Sequence, residues 1–316
     1  MAPRHQVRRA LTYLSALGST FGSSSSSLLS GGAPIVVGSA MVLRHGNFLR
    51  LERTAEPGNV QSEWDLLQQI APDYAGTMAD MAREALDGRN GPQRVLLLGL
   101  GGGTMAADLL CGGVSRLADW RLHVTAVESD SDVAQIAREY FIPAMFHEQP
   151  AAQERLSVVV ADAMELVASG SDGGGPTGAA DGAASTLLNL PWEDEAAAVG
   201  ARAEGKAGAR AMQGRRFDVI LEDFAYESPG LLRAPFWRAL RENFAARDAT
   251  LISNTLYAER SLMGSLQSEL QAAGWADVRQ RVDRGLQALP GEATASWDPA
   301  DWEPRDNMIF VATNNQ

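Results

Sequence analysis

The sequence predicts an α/β protein with a doubly wound, mostly parallel sheet of seven strands, preceded by a small β unit. Short apolar runs alternate along the chain with segments whose apolar residues recur every three or four positions, as on one face of a helix. The first run, Val95–Leu98, leads into the glycine-rich turn 99–103, and a helix-compatible segment, Thr104–Leu110, follows at once. Alternation of this kind places helices on both faces of an open sheet.

Seven apolar runs are the predicted strands. They are Val95–Leu98, a run ending at Glu128, Leu156–Val160, Phe217–Leu221, Thr250–Ile252, Val278–Val282 and Met308–Ala312. The segment after Glu128 is predicted to be a helix with Val133, Ile136, Ala137 and Tyr140 on one face. Two later helices are indicated by apolar residues at helical spacing, namely Phe236, Leu240 and Phe244, then Leu262, Leu266 and Leu270.

A small β unit is predicted for residues 34–71, ahead of the domain formed by residues 72–316. Its strands are Ile35–Val37, Ala40–Arg44 and Asn47–Leu51, with a turn at His45-Gly46-Asn47. Asp73 is expected to cap a helix that begins near Tyr74, since aspartate accepts hydrogen bonds from the free N–H groups of a first helical turn.

The first 33 residues differ from the rest of the sequence. They contain Arg4, Arg8 and Arg9 and many serines, and the first carboxylate of the chain is Glu52. This composition is typical of a mitochondrial or plastid transit peptide. The alternative is an unstructured tail without a targeting role, on a protein that is otherwise cytoplasmic.

Residues 169–214 interrupt the alternation of strands and helices. They are rich in glycine, alanine and serine and have no sustained apolar period. Such a segment buries too little apolar surface to offset an ordering entropy of roughly 1–2 kcal/mol per residue. We predict a disordered insertion in one loop of the larger domain.

Composition excludes several classes of function. The formal net charge of -12 argues against a general nucleic-acid binder, because phosphate contacts require a basic surface. No apolar run is long enough to cross a membrane. Cys111 is the only cysteine, and the four histidines lack ligand spacing, so no metal site is expected.

The glycine-rich turn indicates a class of ligand. Its pattern is G-x-G-G-G-T, with Thr104 where a dinucleotide fingerprint has its third glycine, so NAD is disfavoured. The turn also lacks the Lys-Ser/Thr pair of a P-loop, which disfavours nucleotide triphosphate hydrolysis. A strand–turn–helix–strand unit that ends in Glu128 is the layout of a Rossmann-type nucleoside site, where the acid binds ribose hydroxyls. A diol-bearing ligand such as S-adenosylmethionine fits this pattern.

Acids occupy the ends of consecutive predicted strands, and ligands in doubly wound sheets bind beyond those ends. The four acids are Glu128, Asp162, Glu222 and Asp223. Any one of them could simply cap the helix that follows it. Four of them beside a glycine turn favour a binding site, with Asp162 and Ala163 near the adenine and Asp223 facing the reacting group.

Several segments, in this order and spacing, resemble the spermidine synthase family in its methyltransferase-like branch, over roughly residues 40–165 and 216–313. They are VQSEWDLL, DYAGTM, RVLLLGLGGGT, VTAVESDSDVAQIAREYF, RLSVVVADA, FDVILEDF, LISNTLY and NMIFVA. The resemblance implies a seven-stranded Rossmann-type methyltransferase sheet. It also implies an S-adenosylmethionine or decarboxylated S-adenosylmethionine co-substrate, without a metal.

The resemblance assigns roles to individual residues. Asp223 would be catalytic by supporting the amine nucleophile. Nucleoside-binding residues would be Gln61, Gly99, Gly101, Gly103, Glu128, Asp162 and Ala163, and substrate-binding residues would be Tyr74, Tyr226 and Glu227. The implied partners are a small cationic amine or a protein acceptor and a second copy of the chain, since family members often dimerise.

The chain departs from aminopropyl-transferring members of that family at two positions. Those members have an aspartate at the position of Gly102 and another at the position of Tyr226, and both hold cationic amines. Their absence favours intact S-adenosylmethionine and methyl transfer, although only slightly, because Glu227 could replace one of them. Aminopropyl transfer and a non-catalytic nucleoside-binding protein remain the alternatives.

Overall fold

The structure, a computed structural model, describes residues 33–71, 74–111, 121–169, 186–188, 212, 214–223, 233–255, 260–283 and 307–315. The first sheet contains β1 (Ile35–Val37), β2 (Ala40–His45), β3 (Phe48–Arg53) and β4 (Glu56–Asp65). These four strands pair in chain order, and every pair is antiparallel.

The second sheet is the main sheet of the protein. Its strands are β5 (Gln93–Leu98), β6 (Leu122–Glu128), β7 (Leu156–Val160), β8 (Thr186–Leu188), β9 (Phe217–Glu222), β10 (Ala245–Thr255), β11 (Ala276–Asp283) and β12 (Asn307–Thr313). Their order is β11-β12-β10-β9-β5-β6-β7-β8. Strands β10, β9, β5, β6 and β7 are mutually parallel, whereas β12 lies antiparallel between β10 and β11. The predicted fold class is confirmed.

The helices alternate with these strands. They are α1 (Tyr74–Leu86), α2 (Thr104–Cys111), α3 (Ser131–Ile136), a π-helical turn (Ala137–Phe141), α4 (Ile142–Phe146), α5 (Pro150–Gln153), α6 (Ala163–Ser169), α7 (Arg233–Phe244) and α8 (Arg260–Ala272). No helix in the described ranges combines the length and apolar character that crossing a membrane requires.

The core has one apolar layer on each face of the main sheet. In β5, Leu97 faces a layer formed with the small sheet and α1 to α4, whereas Leu96 and Leu98 face a layer formed with α6, α7 and α8. Strands buried on both faces must be apolar at successive positions. That requirement explains why β5 could be predicted from a continuous apolar run.

The small sheet is held to the turn that follows β6. Ser39 donates from its backbone nitrogen to Asp132 Oδ2 and from its hydroxyl to Asp130 Oδ2, each over 2.9 Å. Arg53 forms an ion pair of 2.5 Å with the same Asp130 oxygen. These contacts bring the end of β4 close to the glycine-rich turn.

Two elements differ from the prediction. The small sheet has a fourth strand, β4, whose residues 56–61 are all exposed, so no apolar alternation marked it in the sequence. The helix after Glu128 contains the π turn, and Phe141 is buried while Tyr140 is only partly so. A π turn adds a residue to one helical turn, so Phe141 also faces the core, while Tyr140 packs against the same core as predicted.

Other predictions fall largely outside the described ranges. The transit peptide lies outside them except for residue 33, and Asp73 lies outside them too. Most of the insertion 169–214 does as well, but three of its residues form β8, which pairs antiparallel with β7. The main sheet therefore has the seven predicted strands and this short additional one.

Candidate functional site

The glycine-rich turn follows β5 and begins α2. Gly99, Gly101 and Gly103 have φ of 93°, 54° and 81°, in the left-handed region that favours glycine. At Gly101 a Cβ atom would lie 2.5 Å from Ser62 Oγ, so only glycine fits there without a shift. The glycines that the sequence predicted as nucleoside-binding thus form a tight turn against the end of β4.

Ser62 joins the small sheet to this turn. Its side chain is buried, and Ser62 Oγ accepts a hydrogen bond of 2.9 Å from the Gly102 nitrogen. Gln61, the predicted nucleoside-binding residue, precedes it on β4 and is exposed beside the turn. Sequence reasoning missed Ser62, because a single serine next to Gln61 does not reveal which turn it contacts.

Gly102 has no room for a side chain. A Cβ atom there would lie 2.8 Å from Cδ1 and Cε1 of Phe141 and 3.1 Å from Ser62 Cβ. Phe141 is fully buried. The π turn therefore fills the space beside Gly102 with an aromatic ring, and the turn carries no carboxylate at this position.

Glu128 ends β6 with its carboxylate under the glycine turn. Oε2 accepts hydrogen bonds from the backbone nitrogens of Leu100 (3.2 Å) and Gly101 (3.0 Å), and Oε1 accepts one from Asp130 (3.0 Å). A carboxylate has about four acceptor positions. One position therefore remains on Oε1, where a ribose hydroxyl could bind, while a second hydroxyl would have to displace a turn amide.

Asp162 follows β7 and caps helix α6. Its Oδ1 accepts hydrogen bonds from the backbone nitrogens of Met164 (2.7 Å) and Glu165 (3.3 Å). The residue is exposed, and the neighbouring Ala163 begins the helix and is partly buried. The cap uses one carboxylate oxygen, and the other remains available at the edge of the sheet where a nucleoside base is expected.

Asp223 is held by side chains from two other elements. Tyr74, at the start of α1, donates from its hydroxyl to Asp223 Oδ2 over 3.1 Å, and Asn254 of β10 donates from Nδ2 to Oδ1 over 2.9 Å. The Asp223 nitrogen also donates to the carbonyl oxygen of Leu98, directly before the glycine turn. Tyr74 and Asp223, both predicted from sequence, are thus in contact, and Asn254 is a site residue that sequence reasoning missed.

The surroundings of Asp223 raise the pKa of its carboxyl group. Burial is the largest cause, and the negative charge of Glu128 adds to it. The hydrogen bonds from Asn254 and Tyr74 oppose the rise because they favour the charged form. A carboxyl group with a raised pKa holds a proton more readily, which suits a group that takes one from a nucleophile.

Glu222 does not face the site, contrary to the expectation that all four acids gather there. Successive residues of a strand point to opposite faces of the sheet, so Glu222 turns away from Asp223. It is fully buried, and its Oε2 accepts a hydrogen bond of 2.7 Å from the indole nitrogen of Trp237 on α7. Burial raises the pKa of Glu222 to about 7.

Several other features bear on the site. Tyr226 and Glu227, the predicted substrate-binding residues, lie outside the described residues. Among the residues that are described, no group of three or more histidine, cysteine or acidic side chains could hold a metal ion. A groove of about 450 Å³ that includes Arg94 and His123 lies at the opposite edge of the sheet, where the parallel strands begin. It is separate from the acids at the strand ends.

Comparison with known proteins agrees with this fold. No protein-family model matches the sequence, and no curated protein does. The chain is similar to the structure of a probable spermidine synthase from Corynebacterium glutamicum, with 16% identity, coverage of 89% of this chain and 79% of that one, and a TM-score of 0.51. It is also similar to a SAM-dependent methyltransferase from Agrobacterium tumefaciens, with 13% identity, coverage of 89% of this chain and 72% of that one, and a TM-score of 0.47.

At these identities the likeness concerns the fold. The chain has a Rossmann-type α/β fold like that of the Corynebacterium glutamicum protein, with a four-stranded antiparallel sheet before the main sheet. The comparisons do not assign the chain to the spermidine synthase family.

Proposed function

We propose that the protein is a transferase that uses S-adenosylmethionine and transfers a methyl group to a nitrogen nucleophile, with Asp223 as the catalytic residue. The observation that carries the proposal is the position of Asp223. Strand β5 lies between β6 and β9, so Glu128, the glycine turn and Asp223 share one edge of the sheet. A nucleoside held by the first two would present its sulfonium group toward the third.

The glycine turn supports intact S-adenosylmethionine as the donor. Gly102 has no side chain and Phe141 fills the space beside it, so the glycine turn carries no acidic group at this position that would repel the carboxylate of the methionine part. The same absence deprives decarboxylated S-adenosylmethionine of a partner for its ammonium group. A hydrogen bond to a charged group contributes about 1.5–3 kcal/mol, so its loss favours the intact donor, and the preference is small if Glu227 replaces the missing acid.

The reaction is a displacement at the methyl carbon. A cationic acceptor amine first loses one proton to solvent, since an ammonium group has no lone pair. The lone pair of the neutral nitrogen then attacks the methyl carbon, a C–N bond forms, and the C–S bond breaks with its electrons left on sulfur. The nitrogen then releases a proton, which the Asp223 carboxylate takes directly or through water. The protein contributes mainly by alignment, which is worth several kcal/mol in reactions of this kind.

The acceptor is either a small cationic amine or an amino group of a protein. The formal net charge of -12 favours cationic acceptors through long-range attraction. Tyr226 and Glu227 remain proposed contacts of this acceptor. A homodimer, and import into a mitochondrion or plastid, are proposals based on the sequence alone.

Calorimetry with S-adenosylmethionine and with its decarboxylated form tests the proposal. We expect wild type to bind the intact donor more tightly, and Asp223→Asn to bind it equally well while losing most turnover on a panel of amines. Preferential binding of the decarboxylated donor would favour aminopropyl transfer instead. Donor binding without turnover on amine and protein panels would favour a non-catalytic nucleoside-binding protein, and full activity of Asp223→Asn would remove its catalytic role.

A further inference from the structure

The side chain of Asn254 has two polar atoms, Nδ2 and Oδ1, and the proposed reaction assigns no role to Oδ1. Asn254 lies in β10 beside the end of β9, and its side chain is buried. The Nδ2 atom donates to Asp223 Oδ1, and a carboxylate can only accept, so this contact fixes the orientation of the amide group. The carbonyl oxygen Oδ1 of the same planar group therefore lies near the Asp223 carboxylate.

This oxygen lacks a hydrogen-bond donor. It is buried, and none of the described residues donates to it. Buried acceptors are paired in the great majority of proteins, so an unpaired one requires an explanation. This unpaired acceptor belongs to the same amide group whose Nδ2 contacts the Asp223 carboxylate, so the two acceptors are close enough for one ligand nitrogen with two N–H groups.

We propose that Asp223 and Asn254 Oδ1 receive two N–H groups of the acceptor nitrogen and thereby limit each nitrogen to a single transfer. The inference rests on the proposed transferase function. A neutral primary amine has two N–H groups and one lone pair. When both N–H groups are held, the direction of the lone pair is fixed, and it can point at the methyl carbon of the donor.

A nitrogen that has reacted once no longer fits this arrangement. The first transfer forms a C–N bond, turns the sulfonium into a thioether and passes one proton from nitrogen to Asp223 or to water. The resulting secondary amine has a single N–H group. If it presents its lone pair for a second attack, either Asp223 or Asn254 Oδ1 stays unpaired, which reduces kcat/KM about tenfold or more.

The test compares butylamine with N-methylbutylamine, since both carry the alkylamine group of small amines and of lysine. Wild type and Asn254→Ala are assayed with S-adenosylmethionine, and mass spectrometry separates singly and doubly methylated products. We expect wild type to prefer butylamine at least tenfold in kcat/KM and to stop at one methyl group. Asn254→Ala should lower this ratio toward one.

Asn314→Ala is the matched control. Asn314 is also buried, its Nδ2 donates to the Ala246 carbonyl oxygen, and its Oδ1 likewise has no donor among the described residues. It lies at the opposite edge of the sheet, where β10 begins. This variant should lose stability but keep the preference of wild type.

Two results would overturn the inference: equal use of both amines by wild type, or the same ratio in wild type and Asn254→Ala. If neither amine reacts, NMR measures the binding of both amines to wild type and to Asn254→Ala in the presence of S-adenosylhomocysteine. The inference is refuted if wild type does not bind butylamine more tightly than N-methylbutylamine, or if Asn254→Ala keeps the wild-type preference. Wild type that does not bind S-adenosylmethionine would remove the transferase function and this inference together. Binding with an unchanged ratio removes this inference alone.

Discussion

At the scale of single residues, the acids at the strand ends differ in what surrounds them. Glu128 accepts only backbone N–H groups of the nearby turns, and Asp162 caps a helix. Asp223 instead receives hydrogen bonds from the side chains of Tyr74 and Asn254, which come from distant parts of the chain. The pattern of acids at strand ends predicts all three positions, but only the structure shows that Asp223 differs from the others in being held by two side chains.

Replacement of Glu128 should affect both binding and stability. Glu128→Ala removes the proposed acceptor for a ribose hydroxyl and also leaves the N–H groups of Leu100 and Gly101 without their partner. We expect about a tenfold to hundredfold loss of S-adenosylmethionine affinity by calorimetry, and a loss of about 1–3 kcal/mol in the free energy of unfolding. Glu139→Ala, on the π turn and partly exposed, is the control. Unchanged affinity in Glu128→Ala would show that the ribose binds elsewhere.

Asn254 should also affect the pKa of the Asp223 carboxyl group. Its hydrogen bond favours the charged form of Asp223 and so lowers the pKa of that carboxyl group. Asn254→Ala should therefore raise this pKa, and the acidic limb of the kcat/KM profile should move to higher pH. Tyr74→Phe removes the other donor and should move the limb in the same direction. An acidic limb that stays in place in both variants would mean that it reports a different group.

At the scale of elements, the π turn is the feature that shapes the site. It rotates the following residues, so that Phe141 is buried against Gly102, while Tyr140 is partly buried against the same core. Helical periodicity in the sequence assumes a constant number of residues per turn, and a single added residue breaks that assumption. The sequence therefore predicted a helix here but not the residue that meets the glycine turn.

Gly102→Ala tests this contact. The new Cβ atom would lie 2.8 Å from the Phe141 ring, and overpacking of this kind typically costs about 1–3 kcal/mol of stability. Because the glycine turn would shift, we also expect weaker S-adenosylmethionine binding. Gly88→Ala is a useful control, since Gly88 has a positive φ of 73° and open space around it. It should lose stability through backbone strain without losing affinity; equal affinity losses in both variants would contradict the contact.

Some elements could be predicted and others could not, for physical reasons. Parallel strands such as β5 and β7 are buried on both faces, so their apolar runs mark them in the sequence. The polar first half of β4 is exposed and leaves no such mark. Ser62 and Asn254 depend on which strands and turns become neighbours in space, and a lone polar residue carries no sign of its partner. The acids and the glycine-rich turn could be predicted because each directly follows an apolar strand in the sequence.

At the scale of the whole molecule, Glu222 links stability to pH. Its folded pKa of about 7 lies above its ordinary value of 4.5, because the buried side chain is desolvated. Between these values the folded protein binds more protons than the unfolded chain. The free energy of unfolding therefore falls as pH rises through this window, by about 3 kcal/mol, and stays low above it.

Glu222→Gln should flatten this dependence. Glutamine is neutral at every pH and can still accept the hydrogen bond from Trp237. We expect chemical denaturation at several pH values between 4.5 and 7 to show a smaller decline for the variant than for wild type. Some slope should remain, because burial also raises the pKa of Asp108 and of Asp223. A wild-type stability that is flat or rises across this range would contradict the assignment.

Glu222 and Asp223 are consecutive, yet Glu222 is buried and hydrogen-bonded to Trp237, whereas Asp223 is hydrogen-bonded to Tyr74. Strand geometry gives neighbouring residues opposite faces, so the division of labour between these two carboxyl groups depends on the pairing of β9 with β5 and β10. Loss or gain of one residue within β9 would exchange them, turning Glu222 toward Tyr74 and Asp223 toward Trp237. The length of β9 is therefore as much a condition for the proposed role of Asp223 as the carboxyl group itself.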